Sequence, residues 1–518
     1  MGSQRFAFVT LLSALFICQA GCSPDPQEDS SFESNNVITE YNTASTPIGV
    51  LLDDPAAKAV LDKYIPEMSK SKYSGLMRNS TLKGIQGYAA EVLTDEVLAS
   101  IDAELAPLSP SAGAVMIDSG PQINVDESKV APYTLPDPLI MANGESVNDP
   151  EIWWQQRRPE ILEQFTTLVY GRVPPQATGG EVQIIDEGTA VFGGKAIRIQ
   201  ARVAMGRKPD APSFLLVAYL PVSDSPVPVL LMPGFLPSST FFGDNGIEDD
   251  GMVWNFMMQI RVPAKDLMPN IETFDTEWLI DAGFGVASFY YGDVDPDFQQ
   301  GYELGVRGYY DTSAEKNPEP DAWGAISAWA WALSLAYDAL ANDSRVDPQR
   351  IALYGASRLG KTVLWAAARD QRFAAVIDCC SGKLGSGLMR RNFGETLQGS
   401  NAANSRHWVA TNLTRYYGKE DQLPVDGHML LSLIAPRPVL IQTGKLDHAA
   451  DPKGAFLTAL AAGPVYRLLG GRGLDKESWP PQEPILNDLG YYMHDAGHGV
   501  TPETWEVYLD FLREHLAN

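Results

Sequence analysis

The sequence predicts an α/β fold with a doubly wound, mostly parallel sheet, preceded by a small helical module. From about residue 130 onward, short apolar runs alternate with helical stretches such as 321–340. Apolar runs of this kind are typical of strands in a sheet that is covered on both faces. The runs that we predict as strands are 214–221, 227–234, 283–291, 351–355, 373–380, 437–444 and 464–470.

A short module precedes this pattern, and it shows two helix starts. Asp54 is an expected N-cap, with Pro55 at the first helical position. Thr94 begins a second helix whose apolar face comprises Val97, Leu98, Ile101 and Leu105. We therefore predict a small helical module at 46–106 with a packing or docking role, and a domain of 130–518 after it.

The amino terminus has the features of an export signal. Arg5 supplies a positive charge, and residues 6–20 form an apolar stretch too short to span a bilayer. Two small residues then precede Cys22, which resembles a bacterial lipoprotein signal, although Gln19 stands where such signals usually carry Leu. We predict a signal peptide at 1–22 with Cys22 as the lipidation site, and a periplasmic or outer-membrane lipoprotein. Ordinary signal-peptidase cleavage near Ala20 is the alternative.

The overall composition excludes several kinds of partner. The 518 residues carry a net charge of −26, which disfavours binding to nucleic acid or to an anionic membrane surface. The segment 23–45 is acidic and polar and reads as a flexible linker. Cys379 and Cys380 are adjacent and rarely suited to disulfide geometry. No His or Cys spacing is typical of a metal site, so we expect neither a metal nor a cofactor.

The segment 350–370, RIALYGASRLGKTVLWAAARD, predicts a nucleophilic serine. A strand leads into Ser357 and a helix leaves it, so the hydroxyl is presented at the carboxyl edge of the sheet beside a helix N-terminus. The match to G-x-S-x-G is one residue off, because the second glycine is Gly360. From this turn alone, a purely structural role is an open alternative, whereas the phosphate-loop pattern does not fit.

The run GASRLGK at 355–361 resembles the G-x-S-R-x-G-K motif of the glucuronoyl esterases, carbohydrate esterase family 15. Further segments agree with that family from about residue 135 to the C-terminus. They are YYGDVDPDF at 290–298, RRNFGE at 390–395, LPVDGHMLLSLIAPRPVL at 423–440, DPKG at 451–454 and HDAGHG at 494–499. The resemblance implies an α/β-hydrolase fold and a serine esterase that cleaves esters between glucuronic acid on xylan and lignin alcohols.

The roles of the other site residues follow from chemistry and from the resemblance. His498 follows the last strand in the chain order Ser, acid, His, and is the predicted base. His494 is its nearest rival, while His407, His428 and His448 fit the order less well and His515 is expected on the surface. The family implies Arg358 for the oxyanion, Lys361 and Glu395 for the sugar, and Trp408 as a lining residue; for Trp408 a core role is the alternative.

Two positions depart from the family pattern. Many members carry a glutamate where this chain has Cys380, so the triad acid is expected at Asp447, with Asp378 as the alternative. The family's run D-x-W-A-D-P is D-H-A-A-D-P here, so Ala449 replaces a tryptophan that lies against the sugar. We expect a uronic-acid esterase. An esterase for other acyl groups such as acetyl, and a non-catalytic carbohydrate-binding lipoprotein, are the alternatives.

Overall fold

The computed structural model describes residues 40–66, 80–86, 92–110, 123–255, 259–267, 273–310, 319–397, 406–474 and 478–516. The predicted signal peptide with Cys22, and most of the predicted linker, lie outside these residues. Within them, no helix is both long enough and apolar enough to cross a membrane.

The helical module has buried contacts with residues ahead of its predicted start at 46. Its helices are α1 (Ile48–Asp53), α2 (Pro55–Tyr64), α3 (Leu82–Ile85) and α4 (Asp95–Leu105). Asp54 and Thr94 cap α2 and α4 as predicted, each accepting a hydrogen bond from backbone amides of its helix. Tyr41 is buried in the module's own apolar core and Thr43 donates to Asp102. Contacts of the module therefore extend ahead of the predicted boundary at 46, where the polar composition conceals them.

The main sheet has nine strands in the order β1-β2-β3-β7-β4-β8-β9-β10-β11. In this order, the neighbours from β1 to β7 pair antiparallel. The neighbours β7, β4, β8, β9, β10 and β11 pair parallel. A separate hairpin joins β5 to β6. The bounds are β1 Val182–Val191, β2 Ala196–Ala204, β3 Ser213–Pro221, β4 Val227–Gly234, β5 Met252–Asn255, β6 Ile260–Pro263, β7 Gly285–Tyr290, β8 Val346–Ala356, β9 Ala375–Cys379, β10 Val439–Gly444 and β11 Leu489–His494.

Helices cover both faces of this sheet, which confirms the doubly wound α/β prediction. One apolar core contains buried side chains of α11, α12, α13 and α14, and the other contains those of α9 and α15. The bounds are α5 Pro150–Ile152, α6 Arg158–Phe165, α7 Ser238–Phe242, α8 Ala264–Leu267, α9 Thr276–Asp281, α10 Val306–Tyr310, α11 Ala325–Ala341, α12 Arg358–Arg369, α13 Gly427–Ile434, α14 Pro452–Leu468 and α15 Pro502–Leu516.

The predicted strand at 464–470 is wrong, because most of it belongs to α14. The buried residues Ala455, Ala459, Ala462 and Tyr466 recur at helical spacing, a pattern that a seven-residue apolar run cannot reveal. The final strand is β11 instead. Strand β1 was not predicted because it is largely exposed and lacks an apolar run. Its neighbour β2 was not predicted because polar residues interrupt its apolar ones.

Residues before the predicted domain start at 130 also contact the α/β domain. Asn124 pairs with Gly394 through a backbone bridge, and its side-chain amide donates to Asn392 O at 2.6 Å. Glu127 forms ion pairs with Arg391 and with Lys453. We call residues 123–130 the strap; its contacts join the loop that contains Arg391 to the first turn of α14 at the carboxyl edge of the sheet.

Candidate active site

The turn between β8 and α12 holds Ser357 in a conformation that few non-glycine residues adopt. Its φ is 56° and its ψ is −125°. The Ser357 amide donates to Cys379 O at 2.8 Å, which ties the turn to β9. A Cβ atom at Gly355 would lie 2.2 Å from Leu359 O, so this position requires glycine. The strained geometry is that of a nucleophile elbow, with the serine at the carboxyl edge of the sheet.

The same edge carries a histidine and a carboxylate in contact. Asp447 follows β10 and His498 follows β11, the parallel neighbour of β10. His498 Nδ1 lies 2.6 Å from Asp447 Oδ2, and both side chains are at most 1% exposed. The Asp447 Oδ1 atom accepts from the Ala450 amide at 3.2 Å. Ser357 Oγ is buried and has no hydrogen-bond partner among the described residues.

Asp378, the alternative acid, has a different environment. Its Oδ2 accepts from Ser381 Oγ at 2.8 Å. Its Oδ1 lies where a Cβ atom at Gly360 would approach within 2.5 Å. Burial raises the pKa of Asp378 to about 6. The late glycine of the elbow thus makes room for this buried carboxyl group, and the structure pairs His498 with Asp447.

Arg358 is buried, contrary to the surface position that a helix start suggests, and it is held by a carboxylate that the sequence did not single out. The guanidinium donates from Nη1 to Asp297 Oδ2. Asp297 also accepts from Tyr291 Oη at 2.8 Å and from Trp408 Nε1 at 2.6 Å, and lies 2.8 Å from His407 Nε2. Several donors therefore converge on one buried acid directly beside the elbow.

These contacts determine whether Asp297 is charged. Burial alone would raise the pKa of Asp297, but the charge of Arg358 and the His407 and Trp408 hydrogen bonds outweigh it and lower the pKa. Burial lowers the pKa of His407, an effect that its hydrogen bond to Asp297 and the charge of Asp297 oppose. The ion pair of Asp297 with Arg358 therefore stays charged inside the protein. Nothing in YYGDVDPDF distinguishes Asp297 from Asp293 and Asp295 before the fold is known.

The predicted sugar-binding residues lie together. Lys361 Nζ is 3.9 Å from Glu395 Oε2 and donates to Ser381 O. Burial lowers the pKa of Lys361, an effect that the charge of Glu395 opposes. The Trp408 ring lies 5.0 Å from the Arg358 guanidinium and 5.9 Å from Lys361 Nζ. Trp408 is 2% exposed and belongs to the main apolar core, at the point where that core meets Arg358 and Lys361.

The two departures from the family pattern also lie at this edge. The Cys380 sulfur, one Asp447 oxygen and one His498 ring nitrogen all lie within 4.8 Å of one another. Ala449 is 1% exposed, and its carbonyl accepts from the Glu395 amide at 2.9 Å. Beside it, the half-buried His448 ring lies 6.3 Å from Phe393.

The remaining histidines have separate partners. His494 Nε2 lies 2.9 Å from Gly499 O, and His428 Nε2 lies 2.8 Å from Pro136 O. His515 was expected on the surface, but its side chain is only 6% exposed and packs 4.6 Å from the Phe511 ring. That expectation failed because the ring packs against Phe511 and its Nε2 lies 3.1 Å from Leu486 O, while Arg513 and Glu514 of the same turn are exposed.

The fold, the elbow and the His498–Asp447 pair define an α/β-hydrolase of the serine ester hydrolase class. A family model described as glucuronyl esterase of fungi matches residues 246–470. A carbohydrate esterase from an unknown prokaryotic organism is 40% identical over 76% of this chain and 92% of its own. Among solved structures, a glucuronoyl esterase from Solibacter usitatus is 35% identical, with a TM-score of 0.71 over 75% of this chain and 100% of its own.

A further solved structure, a promiscuous family 15 esterase from the marine bacterial metagenome, is 39% identical with a TM-score of 0.68 and covers 76% of this chain and 100% of its own. This chain belongs to the glucuronoyl esterases of carbohydrate esterase family 15. It is a carboxylic-ester hydrolase, as the sequence predicted. The alternative of a non-catalytic binding protein is set aside.

Replacing Asp297 tests the anchoring of Arg358. We expect Asp297→Asn to lower the turnover rate roughly 10- to 100-fold, because the guanidinium loses its charged partner and its fixed position. The measurement is kcat for ester hydrolysis in this variant, in Arg358→Ala and in the double variant, each at equal folded concentration by circular dichroism.

In the double variant, Asp297→Asn should add little to the loss caused by Arg358→Ala, since both changes remove the same interaction. Asp295→Asn is the matched control, because Asp295 is equally buried but pairs with Arg307 at 2.7 Å. A loss from Asp297→Asn that is equally large with and without Arg358 contradicts the anchoring role.

Proposed function

We propose that this enzyme cleaves uronic-acid esters of plant polysaccharide through an acyl-enzyme, with Ser357 as the nucleophile. The observation that carries this proposal is the pairing of His498 with Asp447 at the edge where the strained elbow presents Ser357. A base oriented by a buried carboxylate, beside an elbow serine, is the arrangement that acyl transfer requires.

In the proposed reaction, Ser357 Oγ attacks the ester carbonyl while His498 takes its proton. Asp447 holds the imidazole by its Nδ1 and stabilises the imidazolium that forms. Arg358 stabilises the oxyanion. The carbon–oxygen bond to the alcohol then breaks, and His498 gives its proton to the departing alcohol oxygen. Water, deprotonated by His498, then releases the uronic acid and restores the Ser357 hydroxyl.

Recognition of the acid portion is assigned to Lys361 and Glu395. A buried cation 3.9 Å from a carboxylate offers a donor and an acceptor to adjacent sugar hydroxyls. The 4-O-methyl-glucuronoyl ester of glucuronoxylan, or a lignin–carbohydrate ester, is the substrate we favour. Acetyl esters are the second candidate, because Ala449 offers no aromatic face, and stacking of this kind contributes roughly 1 kcal/mol.

Two isosteric substitutions distinguish the triad acid. Asp447→Asn should lower kcat roughly 10³- to 10⁴-fold, because His498 loses the carboxylate that orients its ring and stabilises the imidazolium. Asp378→Asn makes the same chemical change in a second buried carboxyl group and should leave kcat within about tenfold. Steady-state hydrolysis of benzyl glucuronate measures both. If the larger loss follows Asp378→Asn, the assignment of Asp447 is wrong.

Two substrates distinguish the acyl specificity. We expect the enzyme to hydrolyse methyl or benzyl glucuronate faster than acetylated xylan. An acetyl group has no hydroxyl that could bind to Lys361 or Glu395. Product release is measured by chromatography, with Ser357→Ala as the inactive control. Cleavage of acetyl esters alone would show that a different acyl group is the substrate.

We also propose that the chain is exported and anchored through a lipid on Cys22. The support is the apolar stretch at 6–20 followed by two small residues and this cysteine. Mass spectrometry of the mature protein from a bacterial host should show an acylated Cys22 at the N-terminus, lost in Cys22→Ser. A mature chain that begins near residue 20 without added lipid contradicts the anchor and supports ordinary secretion.

A further inference from the structure

Cys380 stands beside the catalytic pair and is used by none of the proposed steps. Its sulfur lies 3.8 Å from Gly499 O and 3.8 Å from Gln442 Nε2, in a side chain that is 2% exposed. Together with one Asp447 oxygen and one His498 ring nitrogen it forms a set of three ligand atoms within 4.8 Å of one another. We call these three residues the Cys380 cluster.

The chemistry of the Cys380 cluster selects one class of ligand. A thiolate, an imidazole and a carboxylate together suit zinc and similar thiophilic divalent cations, whereas magnesium and calcium prefer oxygen ligands. Three protein ligands with a fourth position left for water are the usual complement of an open zinc site. These residues are distant in the sequence, so spacing could not reveal the set.

The distances require only small movements. Two ligand atoms of one tetrahedral zinc ion are about 3.3 to 3.7 Å apart, given bond lengths of about 2.0 to 2.3 Å. Two cluster atoms at the 4.8 Å limit therefore have to approach by about 1.1 to 1.5 Å. Asp447 Oδ2 and His498 Nδ1 are 2.6 Å apart in their hydrogen bond, and a metal bound by the carboxylate and the ring displaces that bond.

We infer that the Cys380 cluster binds a thiophilic divalent cation of the zinc type, and that the bound ion inhibits the esterase reversibly. Binding forms a metal–sulfur bond, breaks the sulfur–hydrogen bond of Cys380 and releases that proton to water. The proton on the ring nitrogen that binds the metal passes through water to the other ring nitrogen, so the imidazole stays neutral. No oxidant or reductant takes part.

The direct test uses Co²⁺ as a spectroscopic probe of the metal-free full-length enzyme. We expect a thiolate-to-cobalt charge-transfer band that saturates at one equivalent and is displaced by Zn²⁺. The band should be lost in Cys380→Ser and kept in Cys379→Ser. Cys379 is the matched control because it is the adjacent buried cysteine and lies outside the cluster. A band that is absent from the wild type, or that persists in Cys380→Ser, overturns the inference.

The functional test compares inhibition by Zn²⁺, with each variant referred to its own metal-free rate. Zn²⁺ should inhibit the wild type and Cys379→Ser, and a chelator should restore both. The Zn²⁺ concentration for half-inhibition should rise roughly tenfold or more in Cys380→Ser, because one ligand is lost. Equal sensitivity in Cys380→Ser and the wild type rejects Cys380 as a ligand.

The two readouts separate this inference from the proposed triad. The cobalt band reports the cluster whether or not Asp447 and His498 are catalytic, whereas the inhibition rests on their proposed roles. Should Cys380→Ser fail to fold, anomalous scattering from Zn²⁺ in crystals of the wild type replaces it. An ion bonded to the sulfur of Cys380 supports the site, and a zinc ion found only elsewhere rejects it.

Discussion

The 2.8 Å hydrogen bond from the Ser357 amide to Cys379 O fastens the elbow to the neighbouring strand. A non-glycine residue with positive φ costs roughly 1–3 kcal/mol, so the turn persists only because its surroundings determine it. Gly355 admits the chain at close range, and Gly360 leaves space for Asp378. The position of Ser357, the start of α12 and the placement of Arg358 and Lys361 all depend on this one turn.

Buried charges around the elbow are compensated in pairs. Arg358 meets Asp297, and Lys361 lies near Glu395, so that neither cation is isolated in a medium that penalises lone charges. Asp297 also collects hydrogen bonds from Tyr291 and Trp408, which makes it part of the wall of the site. The carboxylate of Asp297 therefore allows the protein to keep a fixed guanidinium in its interior.

Much of the site was predictable from the sequence because it is encoded locally. The strand–Ser357–helix pattern and the chain order of Asp447 and His498 are linear signals, and the fold brings these residues to one edge. Asp297 was not predictable, because its importance comes from donors far along the chain. The strand predicted at 464–470 failed for the opposite reason, since a short apolar run has the same composition in a strand and in a buried helix.

The strap gives the enzyme a stretch of sequence that is upstream of the sheet but mechanically part of the catalytic end. Its Glu127 joins Arg391, in the loop that carries Glu395, to Lys453, in the first turn of α14 after Asp447. Proteolytic trimming that removes the helical module but spares Asn124 leaves this fastening in place. Trimming past Glu127 removes both of its ion pairs, whereas the pairing of Arg391 with Asp451 remains. The contacts of the hydrolase therefore extend to the strap, ahead of the predicted start at 130 and well before the first strand.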